Sequence, residues 1–354
     1  MYPDIIYNDK EDRLYKIMKR TYSNREIDKA GEKLAQYDIN DPIIENDIKI
    51  ISEWRDAHLY GTQKLSQLVD KRSKQIGGKN VLVSRSKKLE SIKLKLSLND
   101  SSNLSRMQDI GGCRIIVEDL NKLNAIVQRM SKFHGGFKLI KKTDYVTSPK
   151  PTGYRCVHLV YELQDNTNDN YKILLELQCR TKTQHLWATA VETVGLFNKV
   201  SLKSNQGDES WKEFFRLVSM LFEYHETKKI SFRNYTIREL INAISIHNRK
   251  YKCTSKIVGY QLAPKYIEKT PEKEYYLLIL NFANATLQIK SYSKSESEQA
   301  QQDYAAYEVA NDPNINTVLV SANSIKEVTE GYPNYFADTD EFIKLISSLI
   351  KQYR

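Results

Sequence analysis

The chain has 354 residues, 40% of them apolar, which is room for two domains or for one large domain with an appendage. Its longest apolar runs, such as Tyr275 to Leu280, fall far short of the ~20 residues of a membrane span. The opening MYPDIIYNDKEDR has neither the basic nor the apolar stretch of a secretion signal, so a cytoplasmic protein with no membrane partner is expected. The net charge of +10 is unevenly spread: residues 271–354 hold 7 Lys/Arg against 12 Asp/Glu, net −5, and residues 1–270 hold 47 against 32, net +15. A basic body suits a polyanionic partner, nucleotide or RNA, and an acidic tail could lie across it.

Residues 1–76 read as helical, with apolar residues three and four apart in DRLYKIMKR, REIDKAGEKLAQY and IKIISEWRDAHLYGTQKLSQLVDKRSKQI, and Gly77-Gly78 ends this part. A basic segment from Val81 to Leu96 follows, then the strand CRIIVEDL, the helix NKLNAIVQRMSKF, a turn at Gly135-Gly136 and two further strands. This alternation predicts an α/β fold with a mixed central sheet flanked by helices. Residues 209–250 are helical again. Composition changes near Thr270-Pro271, after which YYLLILNF and ATLQIKSY read as strands joined at Ala283-Asn284, followed by a helix from about Ser295 to Ala310. NTVLVSA is a further strand and DEFIKLISSLIKQY a closing helix. A body at 1–270 and a small α+β domain at 271–354 are expected, with Tyr332, Tyr335 and Phe336 in a proline-containing loop of the latter. Cys113, Cys156, Cys179 and Cys253 are far apart and expected to be buried thiols, not zinc ligands.

The two strands after Gly136 carry the densest chemistry. Glu176, Gln178 and Arg180 alternate with Leu175, Leu177 and Cys179, so an acid, an amide and a guanidinium share one face. Tyr154, Cys156 and His158 share a face of the strand before it, reached through Lys150-Pro-Thr-Gly153, where the glycine permits a tight turn beside a ligand. Upstream, Arg85, Lys87, Lys88, Lys93 and Lys95 place five cations within eleven residues, and Ser91 and Lys95 lie one helical turn apart, a cradle for phosphates. Asp109 precedes the pair Gly111-Gly112 and Arg114. It could hold Mg²⁺ through a hard oxygen while Arg114 meets a phosphate, or it could cap a turn and pair with Arg114.

Seven blocks in order, Arg85-x-Lys87, Ser91-Ile-x-x-Lys95, Asp109-Ile-x-Gly-x-Arg114, Asp144-Tyr145, Lys150-x-x-Gly153-Tyr154-Arg155-x-x-His158, Glu176-x-Gln178-x-Arg180-Thr181 and Trp187-Ala188, resemble the RelA/SpoT-type synthetase domain. The resemblance covers about residues 80–195 and implies a nucleotidyltransferase-like fold and pyrophosphate transfer from ATP to a ribose hydroxyl. It implies that Arg85, Lys87, Ser91, Lys95 and Arg114 hold ATP, that Asp109 binds Mg²⁺, and that Glu176 takes the proton of the attacking hydroxyl or shares the metal. Lys150, Tyr154, His158, Gln178 and Arg180 are then the acceptor residues. Thr193 stands where many relatives carry histidine.

The segment IISEWRDAHLYGTQKLSQLV and the pair Tyr332-Pro-Asn-Tyr335 are similar to features of fused CapRel-like toxic small alarmone synthetases. That likeness implies a C-terminal pseudo-zinc-finger domain that has lost its ligands and covers the ATP site, with Tyr332 and Tyr335 as the autoinhibitory rings and Arg85 as the cation they stack on. It further implies the 3′-hydroxyl of the tRNA CCA end as acceptor and a phage structural (capsid) protein as trigger. The alternatives are synthesis of (p)ppGpp or (p)ppApp from free nucleotides, and a catalytically inactive nucleotide-binding regulator.

Overall fold

The computed structural model describes residues 22–98, 103–132, 136–163, 172–197, 208–231, 234–260, 273–281, 286–310, 312, 314–322, 324–332 and 339–354. The DRLYKIMKR segment, Gly135, the Thr270-Pro271 boundary, the Ala283-Asn284 turn, Tyr335 and Phe336 lie outside these residues. The helices are α1 (Asn24–Gln36), α2 (Glu45–Lys74), α3 (Leu89–Ser97), α4 (Leu120–Met130), α5 (Lys182–Phe197), α6 (Glu209–Thr227), α7 (Ile237–Tyr251), α8 (Cys253–Tyr260), α9 (Ser297–Ala310), α10 (Ile325–Gly331) and α11 (Asp340–Tyr353). The strands are β1 (Val81–Ser86), β2 (Gly111–Val117), β3 (Phe137–Asp144), β4 (Val157–Leu163), β5 (Ile173–Thr181), β6 (Tyr275–Asn281), β7 (Thr286–Tyr292) and β8 (Ile315–Ser321).

All eight strands form one mixed sheet in the order β3-β4-β5-β2-β1-β8-β6-β7. Strands β2 and β5 are parallel, which requires the long crossover through α4, β3 and β4, and their neighbours are antiparallel. The last three strands extend the sheet of the body. Strand β8 joins β1 through two pairs, Ser84↔Ser321 and Arg85↔Val320, whereas β6 and β8 register along their whole length, from Tyr275↔Ser321 to Asn281↔Ile315. The seam between the two parts is therefore short, and it falls at Arg85.

Strand periodicity sorts the side chains onto two faces. Leu82, Cys113, Ile115, Leu159, Tyr161, Leu175, Leu177 and Cys179 pack under α2 and α4 on the first face. Helix α2 covers it with Ala57, Leu65 and Val69, while its N-terminal half, with Ile48, Ile51 and Trp54, packs with α1 and α3. The second face carries Arg85, Arg114, Glu176, Gln178 and Arg180. Helix α11 docks on the body, burying Phe342, Ile346 and Leu349 against the aromatic core of α5 and α6 that includes Trp187, Trp211, Phe214, Phe215 and Phe222. The 209–250 region, read in sequence as a helical stretch, is two helices, with Lys228 in the left-handed region at the end of α6. The four cysteines are free and buried.

Two positions yield tests of this packing. A Cβ on Gly112 would stand 2.3 Å from the backbone oxygen of Glu176, its partner across the parallel ladder. Gly112→Ala is expected to force β2 and β5 apart and to cost at least about 2 kcal/mol in urea unfolding. His58 is 1% exposed, and burial lowers its pKa from 6.5 to about 4 despite the hydrogen bond of Nδ1 with the Trp54 carbonyl, 2.8 Å away. The unfolded chain binds a proton that the native chain refuses, so His58 stabilises above pH 6.5 and that contribution is lost as pH falls toward 4. The wild type should lose roughly 3 kcal/mol more than His58→Asn between pH 7 and pH 4, by denaturation at each pH.

Candidate active site

The second face of the sheet opens into a polar cleft where β1, β2 and β5 lie side by side. Arg85 and Lys87 come from the end of β1, Asp109 from the turn before β2, Arg114 from β2, and Glu176 and Gln178 from β5; all line one cavity of about 50 Å³. The glycines at 111 and 112 let the β2 backbone run close to its neighbours: a Cβ at Gly111 would meet Thr62 and His58, as one at Gly112 would meet Glu176.

Asp109 is held by two lysines, Lys87 Nζ donating to Oδ2 and Lys95 Nζ to Oδ1, each at 2.8 Å. Burial alone would push the Asp109 carboxyl up, but Lys87 and Lys95 outweigh it and hold it at about 2. Of the two readings open in sequence, pairing with Arg114 is not what the structure records. Arg114 donates from Nε to Gln178 Oε1 at 3.3 Å and from a terminal nitrogen to the Gly331 carbonyl at 3.2 Å.

Beside this charge cluster runs a connected chain of hydrogen bonds. Glu176 accepts from Gln178 Nε2 and pairs with His158 Nδ1, both at 2.7 Å. His158 Nε2 meets the Tyr154 hydroxyl at 2.8 Å, and Arg180 donates to that hydroxyl at 2.9 Å and to Gln178 Oε1 at 3.1 Å. Burial raises the Glu176 carboxyl, and its bond to His158 and the charge there more than reverse this, so it stays ionised. The positive φ of Gly153, +91°, makes the turn that carries Lys150, whose backbone oxygen accepts from Gly153 at 2.8 Å. The Lys150 ammonium lies 4.6 Å from the ring centre of Tyr145 and 5.3 Å from that of Tyr154. Tyr154 itself is buried against Trp187 and Tyr145.

The basic segment divides. Lys87 and Lys95 reach Asp109, whereas Lys93 donates to the Tyr37 carbonyl at 2.5 Å and Lys88 to Asn316 Oδ1 at 2.6 Å, away from the cleft. Ser91 is half-buried on α3 outside the cleft lining. Thr193 is fully buried. Among the described residues no group of three or more His, Cys, Asp or Glu could hold a metal. Asp109 and Glu176 supply two carboxylates in one cleft, which fits Mg²⁺, an ion usually held by one or two protein carboxylates with water and substrate phosphates.

The C-terminal part reaches the cleft. Tyr332, expected in a loop, is the C-terminal cap of α10, is 3% exposed and lines the cavity. Arg114 lies 5.5 Å from the centre of its ring, and Arg85 lines the same cavity. Two residues without a local signature, His185 and Gly331, fasten this segment together with Arg114: His185 Nε2 meets the Glu330 carbonyl at 3.0 Å, Arg114 holds the Gly331 carbonyl, and Gly331 lies so close to Val83 that a Cβ would stand 2.4 Å from it.

Residues 84–207 match the family described as a region found in RelA / SpoT proteins. GTP pyrophosphokinase YwaC of Bacillus subtilis (strain 168) is 34% identical over 112 residues, 30% of this chain and 53% of YwaC. GTP pyrophosphokinase YjbM of the same organism is 35% identical over 88 residues, 24% of this chain and 41% of YjbM, so the chain spans about half or less of the length of these relatives. The crystal structure of small alarmone synthetase 1 from Bacillus subtilis bound to its product pppGpp superposes at TM-score 0.43 and 20% identity, over 50% of this chain and 94% of that one. The matched stretch holds Arg85, Lys87, Asp109, Arg114, Glu176 and Gln178, so the cleft is lined largely from the region that is similar to RelA / SpoT proteins.

Proposed function

We propose that the chain transfers pyrophosphate from ATP to the 3′-hydroxyl of a free guanine nucleotide, making an alarmone of the (p)ppGpp class. The observation that carries this is the convergence of Arg85, Lys87, Arg114, Asp109 and Glu176 in one cleft, within a stretch similar to two GTP pyrophosphokinases. Arg85, Lys87, Lys95 and Arg114 neutralise the triphosphate of ATP, and when phosphate arrives Lys87 and Lys95 exchange Asp109 for its oxygens. Asp109 and Glu176 would hold Mg²⁺, which when bound would offset charge building on the transferring phosphoryl oxygens. The acceptor oxygen bonds to the β-phosphorus, the bond from that phosphorus to the α,β-bridging oxygen breaks, and AMP leaves with the bridging oxygen. Glu176, ionised and aimed by His158 and Gln178, takes the hydroxyl proton. Lys150, Tyr154, His158, Gln178 and Arg180 orient the acceptor.

On this reading the chain is autoinhibited. Tyr332 lines the cleft, whose volume of about 50 Å³ is far below the roughly 300–1,000 Å³ of small-molecule sites. Tyr335 would act with it. The net charge of +15 on residues 1–270 favours a second reading, in which the acceptor is the tRNA 3′ end and a phage structural protein releases the tail. Against it, Trp54 and His58 of α2 are buried at 4% and 1% exposure and offer no ring to RNA.

The deciding assay gives the full chain β-labelled ATP and Mg²⁺ with GDP, GTP or tRNA in parallel. Label is expected on the guanine nucleotide. Label on tRNA alone, lost when the CCA end is removed, selects the second reading, and no transfer to any acceptor by either wild type or Tyr332→Ala leaves an inactive nucleotide-binding regulator. Asp109→Ala and Glu176→Gln are each expected to lower transfer at least about 100-fold. Tyr332→Ala should raise it several-fold, with a lower KM for ATP; an unchanged KM removes the plug.

A further inference from the structure

Helix α3 starts without a local cap. Lys88 stands at its N-cap and makes no side-chain cap bond, which leaves the first N–H groups to find acceptors elsewhere. The acceptor comes from the C-terminal part of the chain. Glu308 of α9 accepts from the Leu89 backbone N–H at 2.8 Å and from the Tyr304 hydroxyl at 2.9 Å through Oε1, and from Arg55 of α2 at 2.6 Å through Oε2. Glu308 and Arg55 are 9% and 6% exposed, so the carboxylate balances a guanidinium that water does not reach.

This cluster lies behind the cleft. Arg85 and Lys87 project into the cleft beside Asp109, whereas Ser86, between them, faces a separate cavity of about 410 Å³ with Arg55 and Tyr304. Glu308 therefore stands outside the position of a substrate phosphate and supports α3 from the rear. A carboxylate at the N-terminus of this nine-residue helix satisfies an orphan donor and complements the positive helix end. The same helix carries Lys95, which reaches Asp109 at 2.8 Å.

We propose that Glu308 is a positioning residue of the ATP site: by capping α3 it fixes the helix that presents Lys95 to the triphosphate. The C-terminal part then acts in two opposite senses, closing the cleft with Tyr332 and holding up the helix with Glu308. The proposal rests on the ATP reading given above.

The test measures binding of a non-hydrolysable ATP analogue with Mg²⁺ by calorimetry, in the full chain carrying Tyr332→Ala to open the cleft; the Glu308 variants of this parent also carry Arg55→Met, so that no guanidinium is left stranded. Glu308→Gln, which keeps an oxygen for Leu89 N–H, is expected to bind within about threefold of that parent, and Glu308→Leu, which removes it, about tenfold more weakly. A purely structural role would shift the melting temperature and leave the affinity of the folded protein unchanged. Equal affinity for the Gln and Leu forms overturns the proposal and leaves the ATP reading standing; no binding even with Glu308 intact overturns both. Should the leucine variant not fold, the smaller Glu308→Ala, which also removes the oxygen, decides by hydrogen exchange at the α3 amides: faster exchange from Leu89 through Lys95 than in Glu308→Gln supports the cap, and equal exchange overturns it.

Discussion

Asp109 is gripped by Lys87 and Lys95, and this three-residue charge cluster joins the end of β1, the helix α3 and the turn into β2. A carboxylate in that place would be costly to bury alone, and two ammonium groups would repel each other without it. Each therefore needs the others, and the elements that carry them are held in one arrangement. The cleft is the outcome: its floor is the β1–β2–β5 ladder, and its charges are already oriented for a polyanion.

The C-terminal part meets this arrangement at its edge. A seam of two residue pairs at Ser84 and Arg85 is a weak attachment for three strands that otherwise pair along their full lengths. Contacts on both faces make up the difference. Tyr332 with Arg114, and the Glu330 and Gly331 carbonyls with His185 and Arg114, hold the cleft side; Glu308 with Arg55 and Leu89 holds the other. Helix α11, although last in sequence, belongs to the aromatic core of the body. A cut near residue 270 would thus remove core as well as closure, which is why substitutions serve better than truncation for separating these effects.

Much of this was legible in sequence because it is periodic or local. The alternation of Glu176, Gln178 and Arg180 with Leu175, Leu177 and Cys179 gave the site face directly, and the structure places the two sets on opposite faces. Strand β3 passed unread: it is an edge strand with residues exposed on both faces, so no apolar period marks it. The turn at Gly153 was readable because a left-handed position selects glycine.

Residue types and spacing thus determined most of the strands and helices and the set of ionisable side chains, since these depend on neighbours within a few positions along the chain. Tertiary structure decided which of the charges meet: Asp109 with lysines and not Arg114, Tyr332 under Arg114, and Glu308 at the start of α3. Those choices follow from sheet order and from the need to pair every buried charge. Neither is written in any local window of the sequence, because the partners meet only when β1 pairs with β2 and β8 joins β1.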